Sequence, residues 1–228
     1  MKAESSSSAL LVPGSWHGAW VYDQVADRLI RAGVAVTVID LPSNDGAAGL
    51  ADDAAAVRAA LDKIGEPTVV VGHSYGGIAV SEGAAGSPEA VGLVYLAAFM
   101  LDIGESLLDA LQHQLPDWIS LDQAAGSHIA ERSEEVLYGD CPPDVATRAA
   151  TRLSRQSVAA IATPQTAAAW QNLPSTYLIC DEDRAVPPPA QEAMSARATT
   201  VRRLPASHSP FLSRPGDVAD VVLEALGR

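Results

Sequence analysis

Val69-Val70-Val71-Gly72-His73-Ser74-Tyr75-Gly76-Gly77, followed by the apolar run Ile78–Ala85, decides how the rest of the chain is read. Three valines predict a buried strand, the glycine-flanked serine a sharp turn, and the run behind it a helix. The spacing is G-x-S-x-G, with Gly72, Ser74 and Gly76 at its fixed positions. A nucleophilic hydroxyl must stand proud of a sheet on a strained turn. Positions two before and two after it must therefore be almost free of side chain. Gly77 gives the new helix room to pack close to the strand, and the helix N-terminus adds positive potential where an oxyanion would form. The alternative for these residues is a glycine-rich connector whose serine merely caps the helix.

Working outward, the other short apolar runs are Ala9–Val12, Val34–Asp40, Val91–Ala97, Ser175–Cys180 and Thr199–Leu204, beside Pro67–Gly72 itself. Their hydrophobicity is continuous rather than alternating, as in strands covered on both faces. Between them, Trp20–Ala32 places Val21, Val25, Leu29 and Ala32 on one helical face. Leu50–Ile64 does the same with Leu50, Ala54, Val57 and Leu61. Strand–helix–strand repetition requires a parallel sheet with right-handed crossovers and helices on both faces. The expected class is α/β: a mostly parallel, doubly wound sheet of about six strands. From Met100 to Gln171 the alternation stops. No strand is expected there, and Leu107–Leu115, Ser133–Tyr138 and Val145–Ala162 read as helices. Residues 1–228 thus read as one domain. Within it, residues 100–171 form a helical cap over the carboxyl edge of the sheet, where open parallel sheets bind ligands. An ordinary pair of packing helices is the plainer alternative.

The 228 residues carry 28 acidic and 15 basic side chains, a formal charge of −13. Such a charge repels phosphate backbones, so no nucleic-acid partner is expected, and no membrane-surface role. Hydrophobic residues make up 48% of the chain, enough for a full core. Cys141 and Cys180 form no CxxC pair, and neither a G-x-G-x-x-G turn nor ligand-spaced histidines occur, so no metal or cofactor is expected. The first residues lack the apolar core of a secretion signal, which points to the cytoplasm, and Ser5–Ser8 reads as a frayed terminus or an expression remnant. Monomer and homodimer both stay open.

A serine nucleophile needs a base. His208, in Leu204-Pro205-Ala206-Ser207-His208-Ser209-Pro210-Phe211, follows the last strand on a loop at the carboxyl edge, where loops of parallel strands converge. It is the expected base. His73 sits inside the turn and reads as a packing residue, His17 lies in the loop after the first strand, and His113 and His128 fall in the cap. The base in turn needs a carboxylate to hold its tautomer. In Asp181-Glu182-Asp183-Arg184-Ala185-Val186-Pro187, Asp183 is preferred because it lies past the strand end, ahead of Asp181 and the more distant Asp102. Two backbone N–H donors must face the oxyanion. Tyr75 is one. The other is expected in Val12-Pro13-Gly14-Ser15-Trp16-His17-Gly18-Ala19-Trp20, where Gly14 and Gly18 permit the turn and Ser15 is better placed than Trp16. Trp16, Phe99, Leu107, Leu108, Trp118 and Phe211 are the candidate walls of an apolar pocket for a small-molecule ester.

With these pieces the chain resembles the α/β-hydrolase superfamily over essentially its whole length. Within it, the resemblance is to the compact plant methylesterase and hydroxynitrile-lyase branch and its bacterial esterase relatives. It is carried by Pro13–Trp20, the Gly72–Gly77 turn, Asp183 with Pro187, and Ser207-His208-Ser209. The resemblance implies an α/β-hydrolase fold and a cofactor-free serine hydrolase. It makes Ser74, Asp183 and His208 the triad, in that chain order, and Ser15 the first-loop oxyanion donor. Two positions depart from the lyases: Ser209 stands where they carry a lysine after the catalytic histidine, and Gly14 where they carry a threonine. Handling cyanide needs a cation near the leaving group, so the expected reaction is hydrolysis of a small carboxylic ester. A hydroxynitrile lyase, a C–C bond hydrolase, and a non-catalytic ligand receptor are the alternatives.

Overall fold

The computed structural model describes residues 8–228, and within them nine strands follow in chain order. They are β1 (Ser8–Val12), β2 (Ala35–Val38), β3 (Thr68–His73), β4 (Ala90–Leu96), β5 (Ile119–Asp122), β6 (Ser127–Ala130), β7 (Gln156–Ser157), β8 (Ser175–Cys180) and β9 (Thr200–Leu204). Six of them form one sheet in the order β2-β1-β3-β4-β8-β9, and every neighbouring pair is parallel. The expected sheet is present. The Ser5–Ser7 part of the serine run lies outside the described residues, and Ser8 opens β1.

The helices among the described residues are α1 (Asp23–Arg31), α2 (Leu50–Ile64), α3 (Gly76–Gly83), α4 (Leu107–Ala110), α5 (Ser133–Val136), α6 (Pro143–Ala150), α7 (Val158–Ala162), α8 (Pro188–Ser195), α9 (Pro210–Ser213) and α10 (Pro215–Ala225). Alternate strand residues feed two separate cores. Leu10, Val70 and Leu93 pack with Val57 and Leu61 of α2. Ala9, Leu11, Val69 and Val71 meet Val25 and Leu29 of α1 together with Val218 and Val222 of α10. Helices therefore cover both faces, which is why the strand sequences are apolar throughout rather than alternating. None of these helices is long and apolar enough to cross a membrane.

The segment between β4 and β8 corrects the all-helical expectation. It contains an antiparallel three-stranded sheet in the order β5-β6-β7. The stretch Val145–Ala162 is not one helix but α6, then β7, then α7. These strands are too short and too mixed in composition, as in Ile-Ser-Leu-Asp, to show a period in the sequence. The signal lay in the turn. Asp122 accepts from the Ala125 N–H at 3.0 Å, and Gly126 takes φ +61°, the chemistry that closes a hairpin.

Candidate active site

Ser74 sits between the end of β3 and the start of α3 with φ +53°, in the left-handed region. A non-glycine residue there costs about 1–2 kcal/mol, so the surroundings must hold it. Its N–H donates to the Leu96 carbonyl at 3.2 Å, and its own carbonyl accepts from Gly77 at 3.1 Å and Phe99 at 3.0 Å. The hydroxyl has no hydrogen-bond partner among the described residues, and Ser74 lines a cavity. The flanking glycines are required by close approach. A Cβ on Gly72 would stand 2.8 Å from the Gly76 carbonyl oxygen, and one on Gly76 would collide with the Pro13 carbonyl.

His208 and Asp183 come together across β8 and β9. The His208 Nδ1–H donates to Asp183 Oδ2 at 2.7 Å, with both side chains buried. Asp183 is itself fixed by three further donors. The Ala185 and Val186 N–H groups reach Oδ1 at 2.8 and 2.9 Å, and Gln191 Nε2 reaches Oδ2 at 3.0 Å. The two alternative acids are occupied elsewhere. Asp181 takes the Arg203 guanidinium at 2.6 Å, and Asp102 accepts from Gln171 at 2.7 Å. His73 does more than pack: its Nε2–H donates to the His208 carbonyl at 2.9 Å and so supports the loop that carries His208.

The loop after β1 is held from three directions. Asn44 Oδ1 accepts from the Trp16 N–H at 2.9 Å, while Asn44 Nδ2 donates to the carbonyls of Gly14 and His17 at 3.1 and 2.8 Å. His17 Nδ1–H donates to the Ser15 carbonyl at 2.9 Å, which leaves Nε2 to accept from the Tyr138 hydroxyl at 2.8 Å. The Trp16 carbonyl accepts from both the N–H and the hydroxyl of Ser154, at 2.9 and 3.0 Å. Because its N–H is engaged by Asn44, Trp16 is not a free oxyanion donor. Ser15 and Tyr75 donate their N–H groups to no protein acceptor among the described residues. The role expected of the loop glycines also changes. The left-handed residue is Trp16, at φ +63°, and Gly14 is needed because a Cβ there would lie 2.7 Å from the Ser74 Cβ.

Electrostatically the site is set by burial. Burial, and then the nearby His208, hold His17 at about 3. His73 is pushed far below the usual histidine range by the same burial, with His208 and His17 adding to it. Both rings are therefore uncharged at neutral pH. Under the turn, the Tyr75 hydroxyl donates to Asp53 at 2.6 Å, and burial raises the Asp53 carboxyl above its ordinary value.

Ser15, Ser74 and His208 open onto one cavity of about 430 Å³. Trp16, Phe99, Trp118 and Leu107 form part of its wall. Phe211 and Leu108 do not line it. The Phe211 ring lies behind the site against His73 and Tyr22, with ring centres 4.8 and 5.4 Å away. His113 is on the surface, paired with Asp109 at 3.1 Å, whereas His128 is in the cavity wall. Among the described residues no group of three His, Cys, Asp or Glu side chains gathers as metal ligands would.

Comparison with known proteins gives the lineage. The profile of the Alpha/beta hydrolase family matches residues 9–221. Alpha/beta hydrolase nvfD of Aspergillus novofumigatus is 34% identical, over 96% of each chain. Methylesterase 7 of Arabidopsis thaliana is 27% identical, over 98% of each. Among solved structures, a pyrethroid hydrolase from Sphingobium faniae JZ-2 superposes with a TM-score of 0.82 at 22% identity, covering 97% of this chain and 98% of that one.

Proposed function

Since the chain belongs to the alpha/beta hydrolase family, we propose that it is a carboxylesterase-type serine hydrolase acting on small, uncharged esters. The observation that carries the reading is the buried 2.7 Å bond from His208 to Asp183, placed at the same cavity as an unpartnered Ser74 hydroxyl. In this mechanism Ser74 attacks the ester carbonyl while His208 Nε2 takes its proton. Asp183 holds the ring's tautomer and stabilises the imidazolium, and the Ser15 and Tyr75 N–H groups receive the oxyanion. His208 then protonates the departing alkoxide, leaving the acyl group on Ser74. Water, deprotonated by His208, attacks the acyl-enzyme and releases the acid. No lysine or arginine lines the cavity among the described residues, which favours an uncharged substrate and gives a cyanide leaving group no cation. Relatives named as a methylesterase and a pyrethroid hydrolase support an ester as substrate. In this reading residues 1–228 act as one catalytic domain, and residues 100–171 are its cap.

The direct test is a fluorophosphonate probe followed by mass spectrometry. One adduct, on Ser74, is expected. Folded protein that takes no label would retire the esterase reading and favour a ligand receptor.

The pH profile gives a second check. Burial holds His17 at about 3 and His128 at about 4, and His73 is also far depressed, so none of the three changes charge between about pH 5 and 8. The acid limb of kcat/KM should then fall by no more than about tenfold per pH unit, because none of these three rings adds a proton to it. A limb that falls with two protons would contradict this assignment.

A further inference from the structure

His128 is an imidazole in the cavity wall that the mechanism above does not use. It lies on β6 with 2% of its surface exposed, and neither ring nitrogen has a hydrogen-bond partner among the described residues. Its backbone is fixed on three sides. It pairs with Leu121 of β5 and Gln156 of β7, and its carbonyl accepts from the Trp16 indole N–H at 3.1 Å. The Trp16 ring stands edge-on to the imidazole with ring centres 5.4 Å apart. A phenylalanine would fill this space without leaving two polar atoms unsatisfied, an arrangement that carries a penalty for the fold. Burial depresses its pKa to about 4, so at neutral pH the ring offers one N–H donor and one lone-pair acceptor.

We propose that His128 is a specificity-determining residue: it hydrogen-bonds an uncharged hydroxyl or carbonyl that the ester carries away from its scissile carboxyl group. The inference rests on the esterase reading of the cavity. A charged group is disfavoured there, because no lysine, arginine or carboxylate lines the wall among the described residues to accompany it. The rest of the wall is largely apolar, so the ring fixes the orientation of an otherwise greasy substrate.

The test uses methyl phenylacetates carrying either a hydroxyl or a size-matched methyl at ring position 2, 3 or 4. The native enzyme should prefer hydroxyl over methyl at one position at least, by about 10- to 100-fold in kcat/KM and mainly through KM. In His128→Phe the hydroxyl-to-methyl ratio of kcat/KM should fall to about one. His128→Gln, which keeps a donor and an acceptor, should retain part of the preference. A native enzyme that favours methyl at all three positions would overturn the proposal. So would a His128→Phe protein, folded by thermal melt, that loses both partners of a pair equally. Binding of the same pairs to the Ser74→Ala protein separates the two readings. Discrimination in binding without turnover by the native chain would sink the esterase and keep His128. Turnover without discrimination would do the reverse.

Discussion

Ser74→Ala is expected to lower kcat on an aryl acetate by on the order of 10⁶-fold, the loss typical when a hydrolase's nucleophile is removed. The fold should not suffer, because the Ser74 hydroxyl has no partner among the described residues to abandon. Ser74→Gly makes the point more sharply. At φ +53° glycine escapes the left-handed penalty, so this variant should be the more stable protein by about 1 kcal/mol while being equally inactive. A rise in melting temperature of roughly 2–4 °C beside vanished turnover would show strain retained for chemistry. Undiminished turnover in either variant would remove the mechanism.

The second large effect is expected from a single methyl group. Gly76→Ala drives a Cβ into the carbonyl of Pro13, and both sides of that collision are backbone, so neither can rotate away. A loss of about 3 kcal/mol is expected, the upper end of what overpacking costs, or roughly 6–12 °C in melting temperature. Activity should fall further than stability alone explains, since the displaced Pro13 leads directly into Gly14 and Ser15. Gly92→Ala is the control: its Cβ would find only ordinary contacts, at 3.6 Å and beyond, so its melt should move little. Equal melts for the two variants would show that the close approach does not constrain the turn.

The sheet was legible because its strands are buried on both faces and announce themselves as unbroken apolar runs. Ser74 and its glycines were legible because the geometry of the turn forbids other residues there. His208 and Asp183 could be chosen by position alone, as residues on loops that leave adjacent parallel strands. What the sequence hid were the partners that act through single polar bonds. Asn44, Tyr138 and Gln191 each secure a loop of the site, yet nothing in their local pattern distinguishes them from surface residues. Asp53 left one trace, a carboxylate on the helical face that also carries Leu50, Ala54 and Val57. The three small strands between β4 and β8 were hidden for a different reason. Two- to four-residue strands have too few side chains to establish a period.

Trp16 is bonded to both ends of that small sheet's neighbourhood, through its carbonyl to Ser154 and through its indole to the carbonyl of His128. The stretch from 118 to 157 is consequently no cassette to be exchanged between homologues. A graft that lacked a donor for that carbonyl and an acceptor for that indole would slacken the backbone around Ser15. Engineers seeking a new substrate range in this scaffold do better to repaint the wall one side chain at a time than to replace the roof.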